Sequence, residues 1–289
     1  MTWDLVLNVL VAGVLTGMVY GLMALGLSVI FGVVRVVNFA HGEMMTIAMY
    51  AAVIAFAALK LDPFLALLPV AAAFFVFGYA MQAGLVNPFI TRPEHSQFML
   101  LLAVAIIMVN ALLIIFGPDA RNVQTAYQLE SWAFGPILFD KARVFAASAA
   151  VAAAAALFAF FRFTLTGKAI RACADNWLGA KVVGLNVKRY YALTFGLGAA
   201  CVAVAGCAMV LLVDVTPVLG PAYTLLAFVI VIVGGLGSMG GALLGGVLIG
   251  ASEALAGLFI QPSAKSMFSF ALLILVLLLR PQGLLGKRP

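Results

Sequence analysis

The chain is a near-continuous succession of apolar runs long enough to cross a bilayer. They are drawn at residues 5–34, 44–59, 64–86, 98–116, 144–161 and 190–213, followed by 222–258 and 267–279. A hydrocarbon core roughly 30 Å thick takes about 20 residues per helical span, so the chain has room for about eight or nine spans and short loops. No separate soluble domain fits. Only 9% of the 289 residues are charged, against about 25% in soluble domains. The runs are rich in Ala, Leu and Gly and lack the ~10-residue alternation of barrel strands. Helices therefore remain as the elements that satisfy every backbone group in lipid. The expected fold is all-α, a polytopic membrane helical bundle forming one transmembrane domain over residues 1–289.

Charge placement orients the bundle. Arg162, Lys168, Arg171, Lys181, Lys188 and Arg189 face a single acid, Asp175, and the tail adds Arg280, Lys287 and Arg288. Between Gly117 and Lys141, Arg121 and Lys141 are outnumbered by Asp119, Glu130 and Asp140. The positive-inside rule puts the first two regions in the cytoplasm and the third outside. Alternation then places the N-terminus outside, Arg35 inside, Lys60 to Pro63 outside and Arg92 to His95 inside, with the C-terminus cytoplasmic. The net charge of +6 is read as topology rather than as nucleic-acid affinity. Met1 to Leu5 lack the basic start of a signal peptide, so the first run is expected to stay in the mature protein.

This alternation requires residues 222–258 to return to the side from which they start. They are too many for one span and few for two, and Gly234, Gly235, Gly237, Gly240 and Gly241 sit in their middle. The glycines predict a tight reversal, a broken or re-entrant segment facing the protein interior, since irregular backbone at membrane depth must be buried or line a watery cavity. Gly13, Gly17 and Gly21 recur every four residues, as do Gly246, Gly250 and Ala254. Such small-residue stripes predict backbones in close contact.

Polar groups at membrane depth are costly and are functional candidates by default. The densest cluster is Asn38-Phe-Ala-His-Gly-Glu43, between the first two runs. It reads either as a re-entrant turn in a gate or substrate path built on Asn38, His41 and Glu43, or as a solvated turn with Asn38 capping the next helix. His41 beside Glu43 also fits a hydrogen bond fixing the imidazole tautomer. Asn110, Ser252 and Glu253 lie within runs and are expected to bond between helices, and Asp214 is expected at the outer boundary.

Catalytic constellations are missing: the sequence has no Gly-x-Ser-x-Gly elbow and no His-Glu-x-x-His zinc site. Two histidines in the whole chain leave no basis for a metal site, and Cys173, Cys201 and Cys207 read as small packing residues. Thr166-Gly-Lys168 lacks the first glycine and the following hydroxyl of a Walker A loop, so the chain is expected to hold neither ATP nor magnesium. Any ATP drive must come from another subunit.

Residues 164–188 form the longest polar stretch on the expected inner side. As one helix they place Ile170, Cys173, Ala174 and Trp177 in an apolar stripe, with Arg171 and Asp175 as an i,i+4 pair and Gly179 and Gly184 ending or bending it. Such a helix docks a partner or lies in the headgroups.

Here the chain resembles a family, the LivH-type permease subunits of ABC importers for branched-chain amino acids. The resemblance runs over nearly the whole chain. It is carried by Gly26-Leu-Ser-Val-Ile-Phe-Gly-Val33 leading into Asn38-Phe-Ala-His-Gly-Glu43, by Arg171-Ala-Cys-Ala-Asp-Asn176 with Gly179 and Gly184, by the 234–241 glycines and by Arg280-Pro-Gln-Gly-Leu284. It implies a second, LivM-like permease, two ATP-binding cassette ATPases carrying ATP and magnesium, an extracytoplasmic substrate-binding protein, and a place in the bacterial inner membrane among lipid. It also implies that residues 172–184 couple to the ATPase, with Arg171 where importers commonly carry a glutamate. Two other readings stay open: the same machine moving urea or short-chain amides, and a stand-alone channel or secondary carrier using Asn38, His41 and Glu43 as a relay.

Overall fold

The structure, a computed structural model, describes residues 3–260 and 265–286. Its helices are α1 (Trp3–Val34), α2 (His41–Leu59), α3 (Pro63–Met81), α4 (Glu94–Phe116), α5 (Lys141–Phe163), α6 (Leu165–Asp175), α7 (Trp177–Val182), α8 (Val187–Met209), α9 (Gly220–Gly234), α10 (Met239–Phe259) and α11 (Lys265–Leu279). A hairpin, β1 (Ser131–Phe134) and β2 (Ile137–Asp140), precedes α5. Among the described residues, eight helical stretches are long and apolar enough to cross a membrane, and α11 is a shorter apolar helix, in agreement with the expected all-α bundle.

The helix starts follow from side chains that satisfy orphan N–H groups. Asp62 accepts from the Phe64 N–H with Pro63 opening α3; Asp140, Thr164, Asn176, Asn186 and Ser238 do the same for α5, α6, α7, α8 and α10. The bundle's two ends are distinguishable. At the hairpin end, Tyr127 donates to Asp62 (2.9 Å), Gln128 to the Leu211 carbonyl (2.9 Å), and Arg121 pairs with Val215. Burial and the Asp62 carboxylate push the Tyr127 phenol upward, and Asp214 is exposed, as expected at a boundary. At the basic end, the Arg35 turn, the start of α4, the end of α6 and the tail around Gln282 line one cavity. Lys287 and Arg288 lie outside the described residues.

The glycine stripes form a long close seam, α1 against α10. A Cβ built at Gly13 would lie 2.8 Å from the Gly250 carbonyl oxygen, and one at Gly17 2.7 Å from that of Gly246. These backbones touch because Gly17 faces Gly246 and Gly250 with no side chain between them.

Residues 222–258 fold as a helical hairpin. Helix α9 ends at Gly234, and Gly235 (φ 108°) and Gly237 (φ 76°) take the left-handed conformations that reverse the chain into α10. The tail clamps this turn: the Leu284 and Leu285 N–H groups donate to the Val233 and Gly234 carbonyls (both 2.9 Å).

Three smaller expectations are corrected. Asn110 bonds its own helix at Ile106, and Ser252 bonds its own at Ile249, so neither joins helices; of the three, Glu253 does, accepting from Ser269 of α11 (2.6 Å). Asn38 does not cap α2: its Oδ1 accepts from Ala40, which itself holds the cap position. His41 and Glu43 do not bond each other.

Candidate functional site

The polar cluster lies deep in the bundle rather than in a boundary turn. After α1 the chain turns at Arg35 (φ 58°) and runs back along the helix without secondary structure over residues 35–38. His41 Nε2 reaches the Met23 carbonyl at 2.9 Å. Met23 precedes the end of α1 at Val34 by eleven residues, roughly 16 Å at 1.5 Å per residue, or about half of a hydrocarbon core. Helix α2 therefore starts near mid-depth, and the irregular segment below it is buried at Val36, Asn38 and Ala40 and otherwise lines a cavity, as lipid requires.

A second interruption meets the first. Helix α8 ends at Met209, the chain descends through 210–216 and a 3-10 turn at Pro217–Leu219, and α9 begins beside the first turn of α2. Gly42 and Gly220 are in backbone contact there. The Gly42 N–H donates to Thr224 Oγ1 (2.8 Å), and that hydroxyl donates to Glu43 Oε2 (2.9 Å), with the Phe39 carbonyl 3.3 Å away. Helices α2 and α9 thus present their positive N-terminal ends to one carboxylate. Asn38, His41 and Glu43 are all buried and are brought together around this contact, each held by a different partner. Thr224 had no distinguishing sequence signal; only its place in the first turn after Gly220-Pro221 sets it apart.

Below this contact lies a cavity of about 1150 Å³ open at the basic end. Its walls include Arg35, Glu94, Asp175 and the Leu236 to Ser238 turn. Phe39 and Phe98 are among its lining; the Phe39 ring meets Phe98 of α4 (centroids 4.5 Å, edge-on) and Phe228 of α9 (5.1 Å). The three polar candidates do not line the cavity; they sit behind the aromatic contact.

The polar stretch after α5 is two helices, not one. Asn176 takes an extended conformation and caps α7 through the Gly179 N–H (2.8 Å). The expected stripe is corrected accordingly: Ile170 and Cys173 are buried, but Trp177 lies beyond the break and is 57% exposed. Burial pushes the Cys173 thiol upward, which fits a packing residue. Arg171 and Asp175 form no ion pair; among the described residues the one pair is Lys141 with Glu130. Gly184 (φ 87°) ends α7, with its N–H on Lys181 and that of Leu185 on Ala180, a Schellman closure. Leu178, Val182 and Val183 stand exposed beside Trp177, next to Lys181.

The family described as branched-chain amino acid transport system, permease component, matches residues 9–277. The high-affinity branched-chain amino acid transport system permease protein LivH of Salmonella typhimurium is 32% identical over 95% of this chain and 94% of its own length. LivH of Escherichia coli is 31% identical over the same shares, and BraD of Pseudomonas aeruginosa, described in the same words, is 32% identical over 97% and 96%. No solved structure matches the chain.

Proposed function

Because this chain belongs to the branched-chain amino acid transport system permease family, we propose that it is the transmembrane permease subunit of an ATP-driven importer for branched-chain or other small aliphatic amino acids. The observation that carries this reading is the end-to-end match to permeases named for that solute class, on a chain whose composition leaves no room for a nucleotide engine. Relatives so named favour amino acids over urea or amides.

In this reading the chain acts as one permease domain in the bacterial inner membrane, N-terminus outside and C-terminus in the cytoplasm, paired with a LivM-like permease. Two ATP-binding cassette subunits supply ATP and magnesium, and an extracytoplasmic binding protein supplies solute and affinity. The turn holding Asn38, His41 and Glu43 is the mid-depth barrier on the substrate path. Coupling runs through Arg171, Asp175, Asn176, Gly179 and Gly184. Support comes from the exposed apolar face of α7 flanked by basic residues, a surface suited to a soluble partner. The glycine turn at 234–241 and the tail clamped on it form the adjoining rigid wall.

The test is substrate-stimulated ATP hydrolysis by the reconstituted complex. Binding protein loaded with leucine, isoleucine or valine is expected to stimulate turnover, and urea is not. Gly179→Leu is expected to insert normally yet lose most of this stimulation, because a Cβ there already lies 3.3 Å from the Asn176 side chain that caps α7. Loss of that cap costs about 1 kcal/mol. Unchanged stimulation in the variant would remove α7 from the coupling path.

A further inference from the structure

We propose that the groove between the start of α1, the hairpin and the start of α5 holds one phospholipid with a primary-ammonium headgroup, its phosphate on Arg143, its ammonium on Asp140 and an acyl chain along α1. The inference goes beyond the transport reading and needs only a bundle that spans a bilayer.

The groove, of about 240 Å³, lies at headgroup depth. Arg143 and Arg162 are nineteen residues apart on α5, roughly 28 Å at 1.5 Å per residue, close to the thickness of a hydrocarbon core. With Arg162 at one boundary, Arg143 sits at the other. The aromatic side chains around it have the character of an interfacial belt. Tyr127 and Trp132 meet Phe145 edge-on (centroids 5.1 and 6.0 Å), and the Lys141 ammonium stands over the Trp132 ring (5.4 Å).

The walls are held in place by the fold. The Asn8 side chain donates to the Pro136 carbonyl (3.0 Å) and accepts from the Leu138 N–H (2.6 Å), so the hairpin turn is fastened to α1. From that fastening Val9, Ala12 and Leu15 line the groove along α1, giving an apolar strip that runs from headgroup depth towards the hydrocarbon.

The mouth carries both signs of charge. Arg143 and Asp140 are half-buried and line the same groove, yet they form no ion pair. The Asp140 carboxylate accepts from the Arg143 backbone N–H (3.2 Å) instead, so the guanidinium is left for a ligand. Its planar fork matches a phosphate. The carboxylate beside it repels a headgroup that is anionic only, and accepts N–H donors from an ammonium. A phospholipid carrying phosphate and ammonium meets both groups, while its chain covers the apolar strip.

The test is native mass spectrometry of the intact chain in detergent micelles carrying one added lipid. Phosphatidylethanolamine is expected to add as a single tight adduct, with phosphatidylglycerol of the same chains about ten-fold weaker. Arg143→Gln is expected to lower the phosphatidylethanolamine affinity about ten-fold and Arg143→Lys to recover part of it. Lys60→Gln removes the same charge from the same end of the bundle, outside the groove, and is expected to bind like wild type. Ala12→Phe fills the apolar strip without changing charge and is expected to weaken the lipid by a similar factor, which keeps the test valid if Arg143→Gln fails to fold. Glycerophosphoethanolamine, the headgroup without acyl chains, is expected not to displace the lipid. Phosphatidylglycerol binding as tightly as phosphatidylethanolamine, an affinity unchanged by Arg143→Gln or Ala12→Phe in folded protein, or displacement by the soluble headgroup overturns the proposal.

Discussion

Gly42→Leu is expected to leave almost no correctly assembled protein. Its Cβ would collide with the Gly220 carbonyl and the Thr224 amide, both backbone atoms in the first turn of α9, and would displace the Thr224 hydroxyl that bonds Gly42 and Glu43. None of these neighbours is the free end of a flexible side chain, so α2 and α9 must separate. Overpacking of this kind costs about 1–3 kcal/mol, and stranding Glu43 and the Gly42 N–H at mid-depth adds roughly 1–3 kcal/mol for each group left unbonded. The sum rivals a typical net stability of about 5–15 kcal/mol. Gly84→Leu is the matched control, since nothing lies within 4 Å of a Cβ there. Monodisperse elution and thermal unfolding in detergent read both variants. A Gly42→Leu protein that elutes and melts like Gly84→Leu would show that α2 and α9 do not meet as described.

The second large effect is expected at the α1/α10 seam. A Cβ at Gly250 would lie 2.6 Å from the Gly13 carbonyl oxygen and run into the Gly17 backbone, so Gly250→Leu pries the two helices apart along their length. The seam is glycine on both sides, and no partner side chain can shrink to accommodate the addition. The variant is expected to unfold roughly 4–12 °C lower, in line with a loss of about 2–3 kcal/mol spread over a domain of this size. Gly240 sits in the first turn of the same helix, yet its Cβ would meet only Leu285 at 3.9 Å. Gly240→Ala is therefore expected to melt like wild type. Equal melting of Gly250→Leu and Gly240→Ala would contradict the seam.

The parts of this architecture that were legible in the sequence are those in which pattern and environment have the same period. Apolar runs of span length gave the helices, and glycines four apart gave the seam, because a helix in lipid has no other way to bring backbones into contact. The interruption at 210–219 was not legible, and the one before α2 was legible only as one of two readings of the Asn38 to Glu43 cluster. Val36, Val37, Val215, Val218 and Leu219 continue the apolar composition straight through them, since irregular chain buried in protein is as oily as the helices around it. The partner that defines the polar site, Thr224, is 181 residues from Glu43, beyond any local signal. Residues 164–188 read from the sequence as one helix, whereas the structure breaks them at Asn176 into α6 and α7. The Arg171 and Asp175 spacing is right for a helical pair, but the next residue, Asn176, leaves the helix to cap α7, so the stripe stops before Trp177.

The account depends on a bundle that moves solute only when a separate ATPase drives it, and leucine accumulation in sealed vesicles tests that most directly. Vesicles holding the permease pair, the cassette subunits and trapped ATP, with loaded binding protein on the opposite face, are expected to concentrate labelled leucine. Vesicles holding this chain alone are expected to show none above background, with or without an ion gradient. Concentrative uptake by the lone chain would contradict the account.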